Sequence, residues 1–337
     1  MRRRLEAQGQ GMISLGLAQS GLARELNSQP RQLLNLHWVN WDMISIAEIG
    51  ALQHPVIWTL HDMWPFCGAE HYTEGEDWKT GYANVGGVHR WVWRRKARNW
   101  RRPIRIVTPS RWLADCVRDS ALMRDWPVRV IPNAIDTDFW KPIPRARARA
   151  MLDLPPDVPL VLFGAMGGSS DPRKGFEHLR QALMRLHARE RIVQLLVFGG
   201  GEVGADLPFV IHQPGEVKDP ELLRAIYAAA DVFALPSRQD NLPNTGVEAL
   251  ACGTPIVGFD IGGMPDLVVT PDQGYLARPF EAEDLARGLS EVLDRQTTNL
   301  GDSGSQMAEA ARAHALATYS APRVAQQYRA LYEEIWE

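Results

Sequence analysis

Ser237-Arg238-Gln239-Asp240-Asn241-Leu242-Pro243-Asn244-Thr245-Gly246-Val247-Glu248-Ala249-Leu250-Ala251-Cys252-Gly253-Thr254-Pro255-Ile256-Val257 is the stretch whose reading decides the fold. Just upstream, Asp231-Val232-Phe233-Ala234-Leu235 is a short apolar run closed by Pro236, the pattern of a parallel strand buried on both faces. Pro243 suits the first turn of a helix, and Gly253 suits its left-handed cap. Pro255 then opens a further strand, Ile256-Val257-Gly258-Phe259. The expected order is strand, loop, short helix, strand, with Asp240 and Glu248 flanking the mouth of the helix. In open α/β sheets ligands sit at the carboxyl ends of strands, beside helix N-termini. The two acids therefore fall where a polyhydroxylated, phosphorylated ligand would bind. Spacing alone leaves a second reading open, with Asp240 solvating a loop and Glu248 on a wet helix face.

Working outward, 337 residues suit two α/β domains. A composition of 45% hydrophobic and 23% charged residues is that of an ordinary soluble globular protein. The net charge of −3 gives no overall sign of nucleic-acid binding. Cys67, Cys116 and Cys252 form no CxxC pair, which argues against a disulfide framework or metal cluster and fits a reducing compartment. No apolar run reaches membrane-spanning length. Met1-Arg2-Arg3-Arg4-Leu5-Glu6 is basic but has no long apolar core after it, so no signal peptide is expected.

Along the chain, the first 30 or so residues are weakly patterned, with one candidate helix over Ser14 to Leu26. Strands are expected at Leu33–Val39, Pro55–Leu60, Ile104–Val107 and Val128–Ile131, with helices over Ile44–Leu52 and after Ser110, a capping residue. Asp136 to Arg149, rich in Pro and Arg, reads as a linker. A second alternating unit follows: strands at Leu160–Gly164, Val193–Phe198 and Phe209–Ile211, and helices at Phe176–Leu186, Pro220–Ala230, Ala282–Leu293 and Ala321–Trp336. Asp302-Ser303-Gly304-Ser305 lies in the one loop of low complexity. Strands alternating with helices argue for two Rossmann-like parallel-sheet domains.

Gly164 to Gly175 follows a strand and precedes a helix. Its glycines allow close backbone approach to an anion, the helix N-terminus favours negative charge, and Arg173 and Lys174 add cations. It is neither a P-loop nor a GxGxxG fingerprint, so a flexible turn with a solvated Arg-Lys pair stays open. Gly199-Gly200-Gly201 leaves another strand and reads either as a loop or as part of the same crevice. His61-Asp62 ends the second strand. His61 is a candidate for bonding a ligand hydroxyl or moving a proton, or else a structural histidine oriented by Asp62. His89 to Arg102 is basic and aromatic with no acid. It fits anionic lipid headgroups, or a helix that packs its Trp residues inward and shows its Arg residues to water; nucleic acid is the weakest reading.

Taken together, these segments resemble a known family. The opening stretch is similar to the acid-x7-acid motif of retaining glycosyltransferases of family 4, which have the GT-B fold. Val107-Thr108-Pro109-Ser110-Arg111-Trp112-Leu113 and Val130-Ile131-Pro132-Asn133-Ala134-Ile135-Asp136 resemble two further signatures of that family. Trp58-Thr59-Leu60-His61-Asp62-Met63-Trp64-Pro65-Phe66 and Trp78-Lys79-Thr80-Gly81 resemble the subgroup that builds colanic acid and other bacterial exopolysaccharides. The resemblance runs from about Asn35 to the last helix, with its motifs in order.

The resemblance implies an α/β protein of GT-B type: two Rossmann-like domains facing a cleft, residues 1–140 on the acceptor side, 141–318 holding a nucleotide-sugar, and 319–337 packing back on the first. It implies transfer of a sugar from a UDP- or GDP-sugar to a saccharide or lipid-linked acceptor, with retention, in cell-surface polysaccharide synthesis. Glu248 would bind the ribose, Asp240 the donor sugar, Arg173 and Lys174 the diphosphate, and Asn244, Thr245 and Gly246 the phosphate or sugar; His61 would lie near the transferred sugar. No cofactor and no metal are expected, since cationic side chains neutralise the leaving group in this family. The expected setting is cytoplasmic, with peripheral membrane contact through residues 89–105 and no nucleic-acid partner.

Three departures from the family stand out. Ala165-Met166 occupy the place of a usual Arg. Glu70, Tyr82 and Val85 fall near places where the subgroup often has cysteines, so no metal or disulfide is expected there. No counterpart of the family's first strand and Gly-rich loop precedes Leu33, from which a truncated N-terminal domain is expected. Two rivals are a nucleotide-sugar epimerase on the same fold and a donor-binding remnant that has lost catalysis.

Overall fold

The computed structural model describes residues 12–41, 43–164, 171–200, 207–298 and 305–336. In chain order the elements are α1 (Leu22–Ser28), β1 (Leu34–His37), α2 (Ile46–Gly50), β2 (Val56–Thr59), α3 (Gly87–Asn99), β3 (Arg105–Thr108), α4 (Arg111–Asp119) and β4 (Val128–Val130). There follow α5 (Arg145–Met151), β5 (Leu160–Gly164), α6 (Phe176–Ala188), β6 (Gln194–Phe198), β7 (Ile211–Gly215), α7 (Pro220–Ala229), β8 (Val232–Leu235), α8 (Asn244–Ala251) and β9 (Ile256–Phe259). The chain ends with α9 (Met264–Leu267), β10 (Gly274–Ala277), α10 (Ala282–Thr298), α11 (Gln306–Tyr319) and α12 (Ala321–Trp336). It divides into two compact units, one running up to Pro132 and resuming at Gln326, the other from Asn133 to Ala325. The class is α/β, with a parallel sheet in each unit.

In the first unit the sheet order is β1-β2-β3-β4, all parallel. Ser45 opens α2 with a capping box, its hydroxyl accepting from the Glu48 backbone while Glu48 reaches back to Ser45 N. Ser110 caps α4, accepting from Leu113 N at 3.2 Å. Trp58, Trp64 and Trp100 pack edge to face, with centroids 5.2 to 6.4 Å apart. The basic segment forms α3, and Trp100, Val92 and Lys96 turn inward while Trp91 is 46% exposed with Arg95 stacked on it. Lys96 is fully buried; its ammonium donates to the carbonyls of Trp64, Cys67 (3.0 Å) and Gly68 (2.7 Å) and lies 3.8 Å from the Trp64 ring centroid. Burial holds its pKa down to about 7. Glu70 and Tyr82 bond one another, and His89 joins them on the Glu70 carboxylate. The loop that the resembled subgroup equips with cysteines is thus tied here by a polar triad of two buried residues and the partly buried His89. From the C-terminal helix, Tyr332 accepts from Asn35 at 2.7 Å, Tyr328 bonds Thr59 at 2.9 Å and Glu334 accepts from Arg129 at 2.7 Å.

In the second unit the order is β10-β9-β8-β5-β6-β7, again all parallel. Leu160, Leu162, Phe233 and Leu235 enter one hydrophobic core, while Val161, Phe163, Val232 and Ala234 enter another. Alternate residues therefore serve opposite faces of the sheet, which is why these strands read as unbroken apolar runs. Counted from β5, the chain builds outward through β6 and β7, then returns to the other side of β5 with β8. That reversal makes the β5–β8 boundary the topological switch point of a doubly wound sheet.

Several expectations are corrected here. The candidate helix over Ser14–Leu26 lies at Leu22–Ser28, because Ile13 and Ser14 instead run extended beside Ala69 and Glu70, with Ser14 N bonded to Ala69 O at 2.8 Å. The strand expected at Phe209–Ile211 is Ile211–Gly215, and Val210 is 56% exposed. Part of the expected linker is α5, whose Arg149 is 2% exposed and bonds Ala229 O at 3.0 Å and the Asp231 carboxylate at 2.7 Å. The glycine-rich stretch 165–170, Gly201 and most of the low-complexity loop lie outside the described residues.

Candidate active site

The switch point of the second unit carries the cluster that the opening stretch points to. After β5 the chain re-enters as a single 3-10 turn, Pro172–Lys174, started by the Asp171 side chain accepting from Arg173 N at 2.9 Å. Gly175 then turns the backbone left-handed, at φ +72, into α6. A Cβ there would sit 1.9 Å from Pro236 O, so only glycine lets the β5 exit lie against the β8 exit. Arg238 N donates to Arg173 O at 2.8 Å and completes the seam.

Across this seam three side chains converge. The Lys174 ammonium donates to Asp240 Oδ2 at 2.6 Å. The Arg173 guanidinium donates to Gln239 O at 2.9 Å and lies 3.4 Å from the same carboxylate oxygen. Ser237 Oγ donates to it at 3.4 Å. Asp240 is only 8% exposed, and its carbonyl accepts from Gly263 N at 3.0 Å. The carboxylate is thereby held at Oδ2, and the backbone of the residue is held at its carbonyl. Two cations lie against this acid at the carboxyl ends of β5 and β8, and Arg173 is also 3.6 Å from the Asp171 carboxylate, so an anionic ligand there would compete with two acids for the cations.

Pro243 caps α8, whose first residue, Asn244, is exposed and accepts from Asn133 Nδ2 at 2.9 Å. Thr245 is half-buried. Gly246 is buried, and a Cβ there would meet Leu267 at 2.6 Å, so its smallness lets α8 pack down on the sheet. Glu248 lies one turn further along. Its Oε2 accepts from the Tyr227 hydroxyl of α7 at 2.8 Å. Burial raises the Glu248 carboxyl above its usual range, and Tyr227 offsets only part of that. A half-buried acid with one neutral donor among the described residues is poised to take further hydroxyl donors from a ligand.

His61 belongs to the first unit, at the exit of β2. Its Nε2 lies 3.1 Å from Nδ1 of His37, the last residue of β1. Burial lowers the pKa of both rings, and for His61 the neighbouring His37 adds to the effect. The reading in which Asp62 orients His61 is corrected: the Asp62 carboxylate accepts from His71 Nδ1 (2.6 Å), Trp38 Nε1 (2.8 Å) and Trp64 N (3.0 Å). Sequence reasoning missed His37, hidden inside a strand-like run, and Tyr227, hidden on an apolar helix face. The signal for His37 is that a histidine stands at or just past the end of each of two adjacent parallel strands.

The fold and this cluster define a doubly wound domain with an acid–cation site at its switch point, joined to a second parallel-sheet unit. A model described as Glycosyltransferase Family 4 matches residues 15–139, and one described as Glycosyl transferases group 1 matches residues 159–295. The chain is 32% identical over 221 residues to D-inositol 3-phosphate glycosyltransferase of Mycolicibacterium smegmatis, covering 60% of this chain and 49% of that one. It is 30% identical over 297 residues to MMP alpha-(1->4)-mannosyltransferase of Mycolicibacterium hassiacum, covering 76% and 66%. The Anabaena protein Alr3699/HepE, solved in complex with UDP, superposes with a TM-score of 0.68 at 18% identity, covering 94% and 81%. The chain belongs to the GT-B glycosyltransferases of family 4. It spans about half the length of several of the curated relatives it matches, 49% and 52% in two cases.

Proposed function

We propose that the protein transfers a glycosyl group from a nucleotide-sugar to a saccharide or lipid-linked saccharide, with retention of anomeric configuration, in the synthesis of a cell-surface polysaccharide. The observation that carries this reading is the convergence of Arg173, Lys174 and Asp240 at the β5–β8 switch point. On this reading Lys174 and Arg173 take the charge that grows on the departing diphosphate, so no metal is required. Asp240 holds hydroxyls of the donor sugar and Glu248 those of the ribose. The backbone of Asn244, Thr245 and Gly246, opening α8, faces phosphate or sugar. His61 is the first unit's candidate for bonding a ligand hydroxyl or moving a proton. Glycosyl transfer passes through an oxocarbenium-like state, and the fixed Asp240 carboxylate suits the positive charge that develops there. We assign retention to front-face attack, in which the leaving phosphate oxygen takes the acceptor proton.

That Alr3699/HepE was solved with UDP supports a uridine donor. The relatives named for inositol-phosphate and mannosyl transfer support a polyol or sugar acceptor. Trp91, Arg94 and Arg98 share one exposed face of α3, which favours peripheral contact with anionic lipid at the cytoplasmic side. The test is transfer from labelled UDP-glucose and GDP-mannose to a panel of glycosides, with the product linkage read by proton NMR. An α-linked product, lost in Glu248→Ala, is expected. A β-linked product, or sugar isomerised without any acceptor, overturns the reading.

A further inference from the structure

Tyr227, on α7, sits where the packing alone would accept a phenylalanine. It is 0% exposed and belongs to the same hydrophobic core as Leu162 and Phe233. Three rings clamp it: Trp140 at 5.9 Å and Phe198 at 5.8 Å, both edge to face, and Phe233 at 5.8 Å, tilted. Its backbone is held as well, because Thr254, just past the end of α8, donates its hydroxyl to Tyr227 O at 2.7 Å. A phenol in such surroundings gives up its water, a cost that is recovered only where an acceptor is within reach. That acceptor is Glu248 Oε2 on α8, at 2.8 Å. Burial pushes the phenol well above its ordinary range, so it remains a donor throughout the working pH range. With the ring fixed by its neighbours, the direction of the O–H is fixed too, and the carboxylate must meet it.

We propose that Tyr227 is a positioning residue for the donor: its hydroxyl locks the Glu248 side chain in the orientation that accepts the two vicinal hydroxyls of the ribose. This rests on the reading of Glu248 as the ribose-binding acid. An ionised carboxylate offers about four acceptor sites. Tyr227 takes one of them on Oε2, and Oε1 has no hydrogen-bond partner among the described residues. A vicinal diol brings two donors and suits the sites that are left. The phenol helps in two ways. Burial favours the protonated carboxyl of Glu248, and the bond from Tyr227 works against that by stabilising the charged form. The bond also orders a flexible side chain before the nucleotide arrives, which lowers the entropic cost of binding. Tyr227 itself touches no ligand and acts only through Glu248.

Calorimetry on the full chain tests this, with UDP and 2′,3′-dideoxyuridine 5′-diphosphate as probes, the second lacking both ribose hydroxyls. Tyr227→Phe keeps every ring contact, so the variant folds. The unmodified chain is expected to prefer UDP over the dideoxy analogue by about 10-fold. Tyr227→Phe is expected to weaken UDP binding by about 3- to 10-fold and to leave the dideoxy analogue unchanged. In a Glu248→Ala background the same substitution is expected to change neither affinity, because the group it acts through is gone. A Tyr227→Phe variant that keeps the full preference for UDP overturns the proposal. So does one that loses affinity for both nucleotides equally, which is the mark of a merely structural residue, or one that weakens UDP binding as much in the Glu248→Ala background as alone. Equal binding of the two nucleotides by the unmodified chain has a different meaning: it overturns the ribose role of Glu248, and the role of Tyr227 with it.

Discussion

Lys174 and Asp240, 66 positions apart in the chain, meet at 2.6 Å between Nζ and Oδ2, joining the exits of the two strands that flank the switch point. The pair is partly buried, and Arg173 lies against the same oxygen. An anionic ligand must therefore share Lys174 with Asp240. Replacing Asp240 by Asn frees the ammonium while removing the acid proposed to hold the donor sugar. UDP affinity in Asp240→Asn is expected to stay level or rise a few-fold by calorimetry. Turnover of the nucleotide-sugar is expected to fall by about 100-fold, the scale for losing a fixed electrostatic group at a reacting centre. Parallel losses in both would show that Asp240 merely supports the loop.

Gly175 is required by geometry and not by chemistry. Gly175→Ala places a methyl 1.9 Å from Pro236 O at φ +72. The seam must open, and the second unit is expected to lose about 1–3 kcal/mol in urea titration. UDP binding weakens with it, because Lys174 precedes the turn directly.

Glu248 is held in its less comfortable state. Burial raises its folded pKa above the unfolded value. Between the two values the folded chain binds more protons, so stability falls as pH rises through that window, and at neutral pH the ionised carboxylate is a net cost. Glu248→Gln is therefore expected to raise the melting temperature, by about 2–4 °C for each kcal/mol recovered, while weakening donor binding. A melting temperature that drops together with binding would mark Glu248 as structural.

The expected loop, helix and strand around Asp240 and Glu248 are present, and physical reasons set what was legible in advance. Short apolar runs such as Val232–Leu235 and Ile256–Phe259 are readable because both sheet faces are covered. Gly253 does stand left-handed past the end of α8, at φ +82. Pro243 proves to be the cap itself, one place before the helix. What escaped depends on contacts far apart in sequence. Lys174 finds Asp240, Tyr227 finds Glu248 and His37 finds His61 only once the strands are ordered. α5 escaped because its Arg and Pro content imitates a linker, while Arg149 is in fact buried on Asp231. Lys96, in the middle of a basic run, faces inward, and only its place on the helix beside Val92 hints at that.

Lys96 gives the first unit a pH signature. Its pKa is held down to about 7 by burial, against 10.5 ordinarily. Between pH 7 and 8 the unfolded chain binds more protons at this site, so its contribution to stability rises with pH. Lys96→Met removes that slope. It also leaves three buried carbonyls without their donor, so the variant is expected to lose about 3 kcal/mol or more. Urea midpoints of both proteins at pH 7 and 8 check the two effects together.

The central claim is that the switch-point cluster of the second unit binds the nucleotide part of a sugar donor. Calorimetric titration of UDP into the full chain, Lys174→Ala and Glu248→Ala tests it most directly. The account predicts saturable UDP binding that weakens by about 10- to 100-fold in each variant, the loss of one charge-assisted hydrogen bond. UDP binding of equal strength in all three proteins would contradict it.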